Sequence, residues 1–152
     1  MDQERRILLT PKLVDSLYVE AMVLADEARS YFDVQAEEDR ALLEPGVRVH
    51  FACESLRVTT RLMHIIAWLL TQRAVTAGEI SAAEAQEPER RLGEGPQSDP
   101  SLARTFPEAA RALIRASQDL YNRVHRLDRL GGEPPPTFSP ARVLMSRLER
   151  SF

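Results

Sequence analysis

The sequence predicts an all-α protein: a three-helix bundle with a long central helix, a long connection between the second and third helices, and a flexible C-terminal tail. Three observations predict it. Apolar residues recur at helical spacing in three long segments, and each segment opens near a proline and closes near a glycine or a break in composition. The one stretch that alternates like a strand, "VRVHF", has no partner strand elsewhere in the chain. At 152 residues the chain is long enough for one domain with a substantial core. The expected organisation is a bundle domain over residues 1–131 and a proline-rich tail over 132–152.

The first helix is announced by Thr10 as N-cap and Pro11 at the first helical position, where the missing N–H costs nothing. Val14, Leu17, Ala21, Leu24, Ala28 and Tyr31 follow at helical steps. The opposite side is acidic, with Asp15, Glu20, Asp26 and Glu27. "DVQAEEDRALLEPG" then reads as a frayed extension or a loop with a helical turn.

The second helix starts at Pro45 and meets no further proline or glycine after Gly46 until Gly78, which suits a left-handed C-cap. At 1.5 Å per residue it extends about 50 Å. Its apolar residues fall into two adjacent stripes. One contains Val47, Phe51, Val58, Leu62, Ile65 and Leu69; the other contains Ala52, Leu56, Met63, Ile66 and Leu70. Together they exceed the ~100° face of a surface helix, as a helix between two neighbours requires.

Residues 79–101 are polar and rich in proline and glycine, with a possible capping box at Ser81 and Glu84. They read as a long, partly ordered connection. The third helix is expected from about Pro107 to Gly131–Gly132, with a seam of Phe106, Ala110, Leu113, Ser117, Leu120, Val124 and Leu127. "EPPPTFSPARVLMSRLERSF" then begins with prolines that cannot continue a helix. It ends in an apolar patch set among arginines, the composition of a segment that orders only against something else.

Composition excludes several classes. The uncharged run between Arg61 and Arg73 is short of the ~20 residues of a membrane span, and "MDQERRILLT" is not a signal peptide. The net charge of -3 argues against a nucleic-acid protein. Arg104, Arg111, Arg115, Arg123, Arg126 and Arg129 cluster on or beside the third helix, but acids interleave with them and no helix-turn-helix is present. A single cysteine, Cys53, allows no disulfide framework and suits a reducing cytoplasm. His50, His64 and His125 have no metal-ligand spacing, and no phosphate-binding glycine loop occurs. The expectation is a non-enzyme without cofactor or metal.

The candidate site is a ridge on the polar side of the second helix, formed by Arg57, Arg61, His64 and Trp68. Helical phase places these four opposite the apolar stripes, and tryptophan and arginine are the types most enriched at interface hot spots. The competing reading is that the connection, the tail or a second subunit covers Trp68.

"ESLRVTTRLMHIIAWLLTQRA" (54–74) resembles the RcdA family, the regulators of CtrA degradation of alphaproteobacteria. "LVDSLYVEAMVLADEARSYFD" (13–33) and "RALIRASQDLYNRVHRLDRL" (111–130) resemble that family's first and last helices. The resemblance implies a dimerising three-helix bundle with a flexible tail. It also implies a cytoplasmic adaptor, concentrated at the cell pole, that helps the ClpXP protease degrade selected regulators. The implied partners are ClpX, the receiver-domain adaptor CpdR, the cyclic-di-GMP effector PopA and cargo such as CtrA. The alternative is a helical dimer that binds a small ligand in a bundle or dimer cleft.

Overall fold

The computed structural model of the chain describes residues 9–132, 145 and 147–151. Three long helices, α1 (Pro11–Ser30), α3 (Pro45–Thr76) and α6 (Glu108–Gly132), each pack against the other two. No strand occurs among the described residues. The expected tail over 132–152 lies mostly outside them.

The local signals act as their chemistry requires. The Thr10 hydroxyl accepts from the Leu13 N–H at 3.1 Å, and Pro11 opens α1. The π turn Tyr31–Gln35 and the short α2 (Ala36–Ala41) extend α1, so the frayed-extension reading of residues 33–41 is the correct one. The widened turn is held from outside: Arg40 Nη2 donates to the Phe32 carbonyl at 3.0 Å, and the Tyr31 hydroxyl donates to Asp39 at 2.8 Å. Gly78 ends α3 with φ +77, the left-handed conformation that glycine adopts without strain.

The core runs the length of the bundle. At one end Tyr31, Phe32, Phe51 and Phe106 form a chain of edge-to-face rings with centroids 5.1, 5.6 and 5.5 Å apart. Val58, Leu62, Ile65 and Leu69 of α3 continue it against Ala21 and Leu24 of α1 and against Leu120 and Val124 of α6.

Residues 79–101 are more ordered than their composition predicts. They carry α4 (Ala82–Ala85), which has the capping box Ser81–Glu84, then a 3-10 turn (Pro88–Arg90) and the start of α5 (Pro100–Ala103). Leu92 is buried in the core, and the Tyr121 hydroxyl donates to the Gly93 carbonyl. A Cβ on Gly95 would lie 2.6 Å from the Tyr121 ring, so only glycine lets the backbone pass this close. The connection is therefore a strap across α6.

Candidate functional site

The predicted ridge does not form as expected. At 100° per residue, the buried arc of α3 runs from Trp68 and Arg61 through Glu54, Ile65 and Val58 to Leu69 and Leu62, about 120° wide. Relative to the predicted phase it is turned toward the polar side. Arg61 is 1% exposed and Trp68 3% exposed, so both belong to the interior. Arg57 is half-buried and His64 is exposed.

Arg61 is buried because the strap and α6 supply acceptors. Its Nε donates to Ser117 Oγ at 3.2 Å, and its Nη1 donates to the Pro96 carbonyl at 3.0 Å and to Ser98 Oγ at 2.8 Å. The Ser98 hydroxyl in turn donates to Glu54 Oε2 at 2.6 Å, while Arg57 Nη1 donates to Glu54 Oε1 at 2.8 Å. One buried carboxylate thus answers two arginines, one directly and one through a hydroxyl. Burial lowers the Arg61 pKa from its ordinary value, Glu54 opposes that shift, and the like charge of Arg57 adds to it.

Trp68 is fixed in the same way two turns further along. Its indole Nε1 donates to Asp128 Oδ1 at 2.9 Å, and Arg91 of the strap donates to the same oxygen at 2.9 Å and to the Asp128 carbonyl at 3.2 Å. Trp68 is thus covered within the chain, and Arg91 of the connection shares its acceptor. Four of the residues that hold Arg61 and Trp68, namely Ser98, Ser117, Asp128 and Arg91, were not singled out for this in the sequence. Only the polar-at-heptad-spacing series Glu54, Arg61, Trp68 hinted at them.

The rotation that buries Arg61 and Trp68 leaves the second apolar stripe outside. Val49 is 63% exposed, Leu56 67%, Met63 65% and Leu70 47%, a seven-residue repeat. Ala52 and Thr59 are also exposed and Ile66 is half-buried, which fills the alternating three- and four-residue steps. No charged residue occupies these positions. Scattered exposed apolar residues are ordinary, but six apolar residues and Thr59 aligned along about 31 Å of one helix form a coiled-coil-like seam that no helix among the described residues covers. Ala52, Leu56, Met63, Ile66 and Leu70 of this seam are expected in the core from the sequence; Ile66 packs against it, and the other four are exposed instead. The seam is the main candidate for a contact surface.

Catalytic groups do not converge on the seam. No set of three or more His, Cys, Asp or Glu able to hold a metal occurs among the described residues. His125 stacks on Tyr121 at 5.9 Å, and Cys53 is half-buried beside the seam. No helix among the described residues is long and apolar enough to cross a membrane. The arginines of α6 are largely paired: Arg123 bonds Glu20 of α1 and lies 3.2 Å from Asp119, and Arg111 and Arg115 share Glu108.

Residues 6–152 match the family model described as "Protein of unknown function (DUF1465)". No curated protein matches the chain. Among solved structures, the crystal structure of RcdA from Caulobacter crescentus CB15 is similar, with 31% identity and a TM-score of 0.67. The match covers 82% of this chain and 95% of that one.

Proposed function

The chain belongs to the DUF1465 family and to the RcdA family, and from that premise we propose that it is a non-enzymatic adaptor for regulated proteolysis. In this reading it assists ClpXP-dependent degradation of cell-cycle regulators such as CtrA. Its partners are ClpX, the receiver-domain adaptor CpdR and a PopA-type cyclic-di-GMP effector, and it works in the cytoplasm, concentrated at the pole. The observation that carries an interaction role is the exposed seam of α3. Nothing among the described residues covers this charge-free apolar stripe, and burying one against another protein is favourable.

We assign the seam to homodimerisation. A heptad stripe on one helix is self-complementary about a two-fold axis, so the same residues can serve both copies. Arg57 and His64, the members of the predicted ridge that keep solvent access, remain in the proposed partner-facing surface.

Met63→Glu tests the assignment. Met63 is 65% exposed, so the change costs the fold within about 0.5 kcal/mol. In sedimentation the native chain is expected as a dimer and the variant as a monomer with an unchanged melting temperature. A dimeric variant removes the seam from the interface. In parallel, immobilised ClpX with CpdR is expected to retain the native chain. Failure of retention would count against the adaptor role while leaving the dimer intact.

A further inference from the structure

We propose that the hollow between α5 and α6 is a docking site for a short acidic stretch of a partner protein, one that seats a single apolar side chain among arginines. The hollow has a volume of about 240 Å³. That is below the ~300–1,000 Å³ of small-molecule sites, so it suits one side chain of a partner and not a whole cofactor. Pro100, Ala103 and Ile114 supply its apolar lining. Arg104, Arg111 and Arg115 supply cations around it.

The charge does not balance within the site. The hydrogen bond from Arg115 and the charge of Arg111 hold the Glu108 carboxyl below its usual range, so Glu108 is ionised and offsets one of the three arginines. Asp99, which caps α5 between the lining residues Ser98 and Pro100, is held ionised by the hydroxyl and N–H of Ser101 and offsets a second, so one positive charge remains. The Arg104 side chain is exposed and forms no hydrogen bond or ion pair among the described residues. Arg111 Nε is buried and lacks a hydrogen-bond partner among them. Arg61 lies behind the wall through Ser98, but Glu54 answers it there, so the excess belongs to the arginines of the hollow itself.

An acidic peptide answers the exposed arginine heads and the apolar hollow between them. Its carboxylates accept from Arg104, Arg111 and Arg115 as charge-assisted bonds, and an aliphatic or aromatic side chain fills the space over Ile114. The net charge of the whole chain is -3, so this excess is local and selects a local acidic segment over a bulk polyanion. The site is distinct from the α3 seam and stands whether or not the proteolysis reading does.

The test uses the full-length chain and a short dye-labelled peptide with one leucine among aspartates, followed by fluorescence anisotropy. Saturable binding is expected, weakened about tenfold by Arg104→Glu, since one charge-assisted hydrogen bond is worth roughly a factor of ten or more. Replacing the peptide's leucine with serine is expected to weaken binding as well. Arg104 is exposed, and an unchanged melting temperature of the variant shows that the fold is intact. No saturable binding, equal binding by Arg104→Glu, or tighter binding of a single-stranded oligonucleotide than of the peptide would each overturn the proposal.

Discussion

Trp68→Ala is expected to lower the melting temperature by roughly 6–20 °C, because truncating a buried large aromatic costs ~3–5 kcal/mol. The side chain is 3% exposed and packs within the core. Its loss opens a cavity and also removes the indole N–H from Asp128, itself 6% exposed. Asp128 then depends on Arg91 alone. Trp68→Phe separates the two losses: it keeps a ring but removes the donor, so it should cost only about 1–3 kcal/mol. A double-mutant cycle with Asp128→Asn is expected to show coupling, since the two groups share a bond. A Trp68→Ala protein that melts like the native chain would show that the indole lies at the surface.

Arg61→Ala is expected to destabilise by about 3–5 kcal/mol, the cost of breaking a buried charge network by removing one partner. The substitution leaves Ser117, Ser98 and the Pro96 carbonyl without their donor. It also leaves Glu54, 1% exposed, with Arg57 as its remaining cation. The companion experiment is decisive about mechanism. Replacing a buried ion pair by apolar groups of similar volume is often neutral or better, so Arg61→Met with Glu54→Leu should recover most of what Arg61→Met alone loses. If the double variant is as unstable as the sum of the singles, the network is not a unit, and Arg61 acts through packing of its stem alone. Chemical denaturation with a shared slope across the set reads these differences directly.

Both substitutions address the part of the molecule that was least legible in the sequence. The helices themselves were readable, because their signals are local: Thr10 and Pro11 at the start of α1, Pro45 and Gly78 around α3, and the Ala110–Leu127 seam of α6. The phase of α3 was not. A count of apolar residues ranks Leu56, Met63 and Leu70 above Glu54, Arg61 and Trp68, yet the second set is buried and the first exposed. The deciding groups, Ser98, Ser117 and Asp128, lie 44, 56 and 60 residues from their partners, and periodicity within one helix carries no trace of them. The capping box of the strap was legible, and the rest of its order was not, for a related reason. Its polar composition resembles a loose linker, while Leu92 and the close approach of Gly95 to Tyr121 bind it to the bundle. Misassigning the buried arc also hid the candidate surface, since the apolar stripe counted as core is the one left for a second protein.

The most direct measurement of the adaptor role is a reconstituted degradation assay. CtrA is incubated with ClpXP, ATP, CpdR, PopA and cyclic-di-GMP, with and without this protein, and its disappearance is followed over time. Faster loss of CtrA in the presence of the protein, with no loss when ClpX is omitted, is the predicted result. An unchanged or slower rate, from protein shown to be folded and bound to ClpX with CpdR, would contradict it.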